Sequence, residues 1–223
     1  MRVLTWNLFH GRSVPPCGRD LEEEFARAIA SWPWDVALLQ EVPPWWGPAL
    51  ASTARAEQRT ALTSRNSLLG LRRSLARRWP DAIKSNGGGS NAILSRRTLL
   101  EDRAVRLRTR PERRVAQLAR IEGGLVVANF HGSTRVPLAE QELSRLWSLA
   151  VGLAGGSPVI LGGDLNLRAP VAPVPGAVHA AARDVDHIFC TGLDARAQAR
   201  VLAPKLEEGA ALSDHPPLLV ELL

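Results

Sequence analysis

Polar residues of three chemically useful kinds, namely carboxylates, amides and imidazoles, stand at the ends of apolar runs along this chain. In the stretch VILGGDLNLR, residues 159–168, two glycines lead from an apolar run to Asp164 and, two positions later, to Asn166. Similar junctions complete a set of candidate site residues: Asn7, Glu41, His131, Asp164, Asn166, Asp186, Asp214 and His215. Because a rigid scaffold presents functional side chains at its strand ends, we expect this set to face one edge of the fold.

The residue types in this set favour one kind of chemistry. Carboxylates without cysteine ligands suit a hard cation, Mg²⁺ or Mn²⁺, rather than structural zinc. Hydrolysis of a phosphate ester needs neutralised phosphate oxygens, an oriented and deprotonated water, and a stabilised leaving oxygen. A metal ion, an acid–histidine pair and amide donors would meet these needs together. Taken singly, each residue is better explained by a turn or a cap; the whole set, in this order, favours a catalytic site.

Several stretches of the chain, taken in order, resemble a known family. They are LTWNLFHG, DVALLQEV, SNAILSRR, VVANFHGS, ILGGDLNLR, DVDHIF and LSDHPPLLVEL, and they span residues 4 to 222. On these motifs, of which GDLN and SDHPPLLVEL are the more specific, the chain resembles the endonuclease/exonuclease/phosphatase superfamily with its DNase-I-like fold. The resemblance implies a single α/β domain over residues 1–223. It would be a four-layer α/β/β/α sandwich, in which two mixed, largely antiparallel β-sheets pack face to face with helices outside.

The resemblance also implies divalent-metal-dependent hydrolysis of a phosphoester, with Mg²⁺ or Mn²⁺ as the expected cofactor. Glu41 would be a metal ligand with Asn7 beside it. Asp214 would lie near or on the metal.

The remaining residues of the set would carry the catalytic steps. Asp164 would orient or deprotonate the attacking water, and Asn166 would hold the phosphate. His215 would bind and polarise the phosphate or transfer a proton, and Asp186 would fix its tautomer, as a carboxylate bonded to one ring nitrogen does. His131 would contact the phosphate or assist the leaving group. The identity of the general base is left open.

Two features depart from the family's usual pattern. His187 follows Asp186 where relatives often carry an aromatic residue such as tyrosine, and this chain has no tyrosine. The absence of tyrosine counts against an abasic-site repair enzyme. The short segment between Asn166 and Asp186 leaves little room for a DNA-clasping insertion.

The predicted elements account for how the set is positioned. Strands are predicted at RVLTWNL, DVALLQEV, NAILSRR, PVILGG, DVDHIFC and PPLLVELL, with two more around the Gly-Gly turn of RRVAQLARIEGGLVVANFHG. Helices are predicted at GRDLEEEFARAIASWP, which Asp20 can cap, at PLAEQELSRLWSLAVGLAGG, and through most of residues 50–79. The stretch SNGGGS, residues 85–90, is expected to be a flexible turn, and APVAPVPGA a proline-rich loop.

Charge and composition bear on partners without deciding among them. The net charge is +6, and all but two of the 28 lysine and arginine residues are arginine. A basic surface suits a polyanion such as DNA or RNA, whereas an arginine bias from a GC-rich genome explains the excess equally well. No apolar run approaches the roughly 20 residues of a membrane helix, and the two cysteines lack metal or redox spacing. We expect a cytoplasmic monomer without a membrane span.

A few local features have two interpretations each. The arginine-rich face within residues 68–79 is expected to be a solvated helix face, with a phosphate-backbone contact as the alternative. Trp45 and Trp46 are expected to pack against the sandwich edge, with stacking on a base or sugar as the alternative. His10 is within reach of the cleft but is treated as a loop residue, and His179 as a surface loop residue.

The sequence therefore favours a phosphodiesterase that acts on nucleic acid or a nucleotide. The alternative is a phosphatase or phosphodiesterase for a small or lipid-derived phosphoester. A non-catalytic relative that binds polyanions is disfavoured, because a dead copy should have lost Glu41, Asp164, Asp214 or His215, and all of these are present.

Overall fold

Two six-stranded mixed β-sheets form the centre of the protein. The computed structural model describes residues 1–63, 66–81, 89–170, 176–196 and 198–223. The strands are β1 (Arg2–Asn7), β2 (Ser13–Val14), β3 (Val36–Val42), β4 (Glu57–Leu62), β5 (Ser90–Ser95), β6 (Leu99–Arg108), β7 (Arg114–Ile121), β8 (Val126–His131), β9 (Val159–Asp164), β10 (Val178–Arg183), β11 (Asp186–Thr191), β12 (Arg200–Val201), β13 (Ala211–Leu212) and β14 (Leu218–Glu221). The helices are α1 (Glu22–Ser31), α2 (Gly47–Ala54), α3 (Leu69–Arg78) and α4 (Val136–Ala154).

The strand order places two parallel pairs at the centre of the fold. The first sheet has the order β12-β14-β1-β3-β5-β4 and the second the order β10-β11-β9-β8-β7-β6, while β2 and β13 form a small ribbon. β1 runs parallel to β3 and β8 runs parallel to β9, and each pair is joined by a crossover helix, α1 or α4. Parallel neighbours need such crossovers, and they end at the same edge of their sheet.

Alternation of side chains along the strands builds the layers. On β1, Val3 faces the space between the two sheets, whereas Leu4 and Trp6 pack with α1 and α2 on the outer face of the first sheet. Leu146 and Trp147 of α4 pack on the outer face of the second sheet. Three buried clusters thus separate four layers, which confirms the predicted α/β/β/α sandwich.

The prediction of a mostly helical segment at residues 50–79 is wrong in its middle. α2 ends at Ala54, and β4 follows at the edge of the first sheet before α3 begins. β4 has the sequence EQRTAL, which lacks a clear apolar alternation, but it pairs with β5 from Glu57 opposite Ser95 to Leu62 opposite Ser90. Pairing with a buried neighbour has overridden a weak local preference.

Further strands were not predicted from the sequence: β2, β6, β10, β12 and β13. Of these, β12 and β13 lie between the two strands that were predicted to be the last. The predicted hairpin of β7 and β8 is confirmed, and Gly123 and Gly124 turn the chain with φ angles of +90° and +86°. Most of the predicted turn SNGGGS (85–88) and the centre of the proline-rich loop (171–175) lie outside the described residues.

The two other helix predictions are confirmed as α1 and α4. Asp20 accepts the backbone N–H of Glu22 through Oδ1 at 3.1 Å, so its side chain satisfies a donor in the first turn of α1. Among the described residues, no helix combines the length and the apolar character that a membrane crossing requires.

Candidate active site

Strand ends from both sheets meet at one edge of the sandwich. Asn7 ends β1 opposite Gln40 of the parallel strand β3, and Glu41 follows Gln40 near the end of β3. In the second sheet, His131 at the end of β8 pairs with Asp164 at the end of β9. Asp186 begins the antiparallel strand β11 and also lies opposite Asp164. The strand register gathers the residues of each sheet, and the hydrogen bond from Asn7 to Asp164 joins the two groups across the sheets.

Asp164 is the centre of this group. Its Oδ2 accepts a hydrogen bond from Asn7 Nδ2 at 2.9 Å and lies 3.6 Å from His131 Nε2 and 3.8 Å from His215 Nε2. Its Oδ1 accepts the backbone N–H of Asn166 at 3.0 Å. Asp164 is only 3% exposed. Hydrogen bonds from Asn7 of the first sheet and from the turn after β9 fix its orientation. A carboxylate held in this way can orient a water or accept its proton.

His215 forms an acid–histidine pair with Asp186. Nδ1 of His215 lies 2.9 Å from Oδ2 of Asp186, while Nε2 points towards Asp164. Burial raises the pKa of Asp186, although the hydrogen bond to His215 opposes that shift. Burial by itself lowers the pKa of His215, but the hydrogen bond and charge of Asp186 and the nearby carboxylates outweigh it and raise this pKa to about 9. The imidazole is therefore protonated at neutral pH and offers an N–H at Nε2.

The loop before β14 is tied to β1 through Ser213. Ser213 Oγ accepts the backbone N–H of His215 at 3.0 Å and donates to the carbonyl oxygen of Asn7 at 2.6 Å. Nε1 of Trp6 donates to the carbonyl oxygen of His215 at 2.7 Å. Oδ1 of Asp214 lies 4.0 Å from His215 Nε2, and burial raises the pKa of Asp214. Ser213 is a site residue to which the sequence analysis gave no role.

Glycine is required sterically where β8 and β9 end. A Cβ on Gly163, which has a φ of +146°, would lie 1.9 Å from the carbonyl oxygen of Phe130. A Cβ on Gly132 would lie 2.4 Å from the carbonyl oxygen of Leu165. The two glycines let the ends of the strands approach closely, which explains why a glycine directly precedes Asp164.

Asn166 closes the turn after β9. It adopts a left-handed conformation with a φ of +53°, which asparagine tolerates better than most residues. Its Nδ2 donates to the carbonyl oxygen of Gly132 at 3.0 Å. This bond uses one of the two N–H donors of the amide, so the side chain is held in place and keeps a second donor.

Glu41 lies between two imidazoles on the opposite side of the site. Its Oε2 is 3.1 Å from Nε2 of His10, and its Oε1 is 3.7 Å from Nδ1 of His131. Glu41 has a φ of +50°, at a register shift between β3 and β5. The structure thus brings His10 into the site, where the sequence analysis had treated it as a loop residue.

A pocket of about 190 Å³ opens beside Glu41 and His131. It is lined by His10, Glu41, Thr63, Gly89, Asn91, Glu112, Arg113, Arg114, His131 and Thr134. Asn91 is buried and donates from Nδ2 to the carbonyl oxygen of Val115 at 3.1 Å. Nη2 of Arg114 lies 2.5 Å from Glu112 Oε2. A larger pocket of about 620 Å³ between α1 and residues 202–208 contains none of the predicted site residues, so volume alone does not identify the site.

His179 and His187 form a separate pair. His179 lies on β10 rather than in a loop, and its Nε2 is 3.0 Å from Nδ1 of His187. Nε2 of His187 lies 2.6 Å from the carbonyl oxygen of Leu167. Burial is the main cause that lowers the pKa of both imidazoles, which favours their neutral forms. His187 therefore fills a buried position in the second sheet in place of an aromatic residue.

The tryptophan pair after Glu41 packs against the rest of the protein, as expected, rather than forming a stacking surface. Trp46 is 1% exposed and contacts Phe25 with ring centroids 5.4 Å apart. Trp45 is partly buried against the same core cluster. Trp46 is not available as a stacking platform for a base or sugar.

The donor set fits a hard divalent cation. Carboxylates and an amide oxygen face one cleft with imidazoles beside them, and the oxygen donors are of the kind that suits Mg²⁺ and Mn²⁺. Among the described residues, donor atoms of Asp164, Asp186 and His215 lie within 4.8 Å of one another. Oδ1 of Asp186 is buried without a hydrogen-bond partner in the described part of the chain. Asn7 Oδ1 accepts the N–H of Phe9 at 2.9 Å and keeps a second lone pair for a ligand.

Comparison with known proteins gives the family and the fold. The sequence profile of the Endonuclease/Exonuclease/phosphatase family matches residues 4–215. Similar solved structures include an endonuclease/exonuclease/phosphatase from Bacteroides vulgatus (TM-score 0.71, 15% identity, covering 100% of this chain and 98% of that chain) and the Bacteroides thetaiotaomicron mannosyl-6-phosphatase Bt3783 (TM-score 0.71, 14% identity, 100% and 99%). Humanized D. rerio TDP2 with 14 mutations is another (TM-score 0.69, 17% identity, 100% and 98%). At these identities the likeness shows the fold alone. A search of curated protein sequences finds no match.

Proposed function

The chain belongs to the endonuclease/exonuclease/phosphatase family, and on that premise we propose that it is a divalent-metal-dependent phosphoesterase that cleaves a phosphodiester in a nucleic acid or nucleotide. The observation that carries the proposal is the convergence on Asp164. One buried carboxylate receives an amide N–H and lies within 4 Å of two imidazoles. Phosphoester hydrolysis needs this combination of an acceptor for a water proton and donors for phosphate oxygens.

Glu41 and Asn7 would hold Mg²⁺ or Mn²⁺, with Asp214 beside them. A bound cation would neutralise charge on the phosphate and polarise it for attack. The ligand types agree with this assignment, since Glu41 supplies a partly open carboxylate and Asn7 an amide oxygen. Substitution of Glu41 by Gln removes the charge at the same shape, so it should abolish metal-dependent turnover and keep the fold.

Asp164 and the residues around it each have a separate role in the proposed reaction. Asp164 orients the attacking water, and either it or another group of the site accepts the proton. His215 holds a phosphate oxygen through the N–H at Nε2, because its pKa of about 9 keeps the ring protonated at neutral pH. Asn166 offers its second amide N–H to the phosphate. His131, 3.6 Å from Asp164, contacts the phosphate or assists the leaving oxygen.

The net charge of +6 supports a polyanionic substrate. Arg113 and Arg114 line the pocket next to Glu41, where Glu112 pairs with Arg114, so Arg113 is the arginine there that could meet a phosphate. The arginine-rich face of α3 contributes less clearly, because Arg77 lies 3.9 Å from Asp20 and 3.7 Å from Glu22.

A phosphatase for a small phosphoester is the second candidate. The same fold occurs in a mannosyl-6-phosphatase, so the fold is compatible with this activity, and the burial of Trp46 removes one argument for stacking on a base.

Hydrolysis of bis-p-nitrophenyl phosphate and p-nitrophenyl phosphate by the purified protein separates these candidates. Each substrate is assayed with Mg²⁺, with Mn²⁺ and with EDTA, beside the Asp164→Asn variant. We expect metal-dependent cleavage of the diester, a much slower reaction with the monoester, and no cleavage by the variant. Preference for the monoester would favour the phosphatase. Cleavage that persists in EDTA or in the variant would contradict the proposed site.

A further inference from the structure

The geometry points to His10 as an additional ligand of the metal held by Glu41, one that makes the site selective for Mn²⁺ over Mg²⁺. This inference rests on the proposed function only in requiring a divalent cation at Glu41. It assigns a role in metal selectivity to a residue outside the predicted ligand set. Three observations carry it: the backbone at residues 9–11, the separation of His10 from Glu41, and the chemistry of the donor.

The backbone around His10 is held in a conformation that most residues avoid. Phe9, His10 and Gly11 have φ angles of +49°, +55° and +78°, and Glu41 has a φ of +50°. Left-handed conformations at non-glycine residues are uncommon and gather at functional sites. Here the strained segments on β3 and after β1 are the two that carry Glu41 and His10.

Neighbouring contacts keep the His10 loop in place. A Cβ on Gly11 would lie 2.3 Å from the ring of Trp46, so the loop is pressed against that buried side chain. At the other end of the loop, the N–H of Phe9 donates to Oδ1 of Asn7 at 2.9 Å. His10 is therefore fixed between a buried ring and a predicted ligand residue.

The separation of His10 from Glu41 fits two ligands of one ion as well as a direct hydrogen bond. Nε2 of His10 lies 3.1 Å from Oε2 of Glu41. Two adjacent ligands of an octahedral ion, each about 2.1 Å from it, lie roughly 3 Å apart. By contrast, Nδ1 of His131 lies 3.7 Å from Oε1 of Glu41. The side chains of His10 and Glu41 are 17% and 20% exposed. They are therefore partly open to solvent, and a cation can reach them.

The donor type determines which ion benefits. Imidazole nitrogen suits transition metals, whereas Mg²⁺ prefers oxygen and retains several waters. A water can replace His10 on Mg²⁺ at little cost, but the loss of a nitrogen ligand weakens a site for Mn²⁺. The alternative role of His10 is a simple ion pair with Glu41, which would leave no nitrogen on the metal.

Pulsed electron paramagnetic resonance of Mn²⁺ bound to the full chain separates these roles. A directly bound imidazole gives nitrogen modulation of the electron spin echo. We expect this modulation in the wild type, its loss in His10→Asn, and its retention in the matched variant His131→Asn. Asparagine is chosen because it tolerates a left-handed φ, and circular dichroism checks the fold. If His10→Asn does not fold, retention of the modulation in the double variant His131→Asn/His215→Asn still assigns the nitrogen to His10.

Titration calorimetry with Mn²⁺ and Mg²⁺ gives the second readout. Loss of a group that only orients a metal ligand weakens metal binding by about 10- to 100-fold. Loss of a direct ligand should cost at least as much, so His10→Asn should lower the ratio of Mn²⁺ to Mg²⁺ affinity at least about tenfold. Wild-type protein that binds Mn²⁺ without nitrogen modulation, or a His10→Asn variant that retains it, would overturn the inference and leave the proposed function intact. Wild-type protein that binds neither ion would overturn both.

Discussion

At the scale of single residues, the pairing of His215 with Asp186 determines the charge that a substrate would meet. Folding raises the pKa of this histidine from its ordinary value of 6.5 to about 9. A histidine whose pKa is raised on folding adds to the free energy of unfolding. This contribution is fully present below about pH 6.5 and is lost as the pH rises towards 9. Between these values the folded protein keeps a proton that the unfolded chain releases, so the site retains an imidazolium throughout the neutral range.

Replacement of Asp186 by Asn tests this coupling. The variant keeps a hydrogen-bonding side chain of the same size but removes the charge that holds the proton on His215. We expect the pKa of His215 to fall towards its ordinary value, as followed by the ring proton resonances in a pH titration of the metal-free protein. Turnover at neutral pH should fall by about 100-fold or more, the usual contribution of a positioned acid or base. An unchanged titration of His215 would refute the coupling.

How far single residues could be predicted depends on whether their role lies in the side chain or in the backbone. The eight candidate residues carry recognisable side chains at strand ends, and the structure places them at one edge. His10 and Ser213 carry no such signal. His10 reaches Glu41 because of a left-handed backbone, and Ser213 acts through bonds to the backbone of Asn7 and His215. Neither feature can be read from residue types.

At the scale of elements, the close approach of β8 and β9 sets the geometry of the second sheet's site residues. Gly163 lies opposite Phe130 in the parallel register, one residue before Asp164 and His131. Its φ of +146° and the short distance to the carbonyl oxygen of Phe130 leave no room for a side chain. The position of Asp164 thus depends on a glycine in its own strand.

Gly163→Ala is therefore expected to be severely destabilising. The free energy of unfolding, measured by urea denaturation, should fall by at least about 3 kcal/mol, as expected when a new side chain meets backbone in a strained conformation. The matched control is Gly152→Ala in α4, where a Cβ would meet nothing within 4 Å. This control should be neutral or more stable by up to about 1 kcal/mol, because alanine is the better helix former. Equal effects of the two substitutions would contradict the steric argument.

The elements that were predicted correctly are the ones with a strong local pattern. β1, β3, β8 and β9 are nearly continuous apolar runs, as expected of strands buried on both faces. β4, β6 and β10 lie at sheet edges and expose many of their residues. Their conformation follows from pairing with a neighbour, which is information that the local sequence does not contain.

At the scale of the whole molecule, the candidate site exists only because the two sheets are held in one alignment. Asn7 and Glu41 come from the first sheet, whereas His131 and Asp164 come from the second. Beneath them, a buried amide of one sheet bonds to the other. Asn129 of β8 donates from Nδ2 to the carbonyl oxygens of Leu39 at 2.9 Å and Ala92 at 3.0 Å.

Gln40 completes this link between the sheets and directly precedes Glu41. Its Nε2 donates to Oδ1 of Asn129 at 2.8 Å, and the residue is fully buried. Because buried polar groups that lose their partners are costly, the amide pair defines both the alignment of the sheets and the position of Glu41. Its loss should therefore affect function as well as stability.

Asn129→Ala, compared with Gln117→Ala, tests this role. Gln117 on β7 lies opposite Asn129. It also bonds across the sheets, since its Nε2 donates to the carbonyl oxygen of Arg59 on β4 at 2.7 Å. Unlike Asn129, it does not bond to Gln40, which precedes Glu41. Both substitutions should lower the free energy of unfolding by about 1 to 3 kcal/mol, the cost of an unsatisfied buried group. Turnover and Mn²⁺ affinity, measured well below both melting temperatures, should fall at least about tenfold in Asn129→Ala only, since Glu41 loses its support. Equal turnover in the two variants would show that the sheets align without the amide pair.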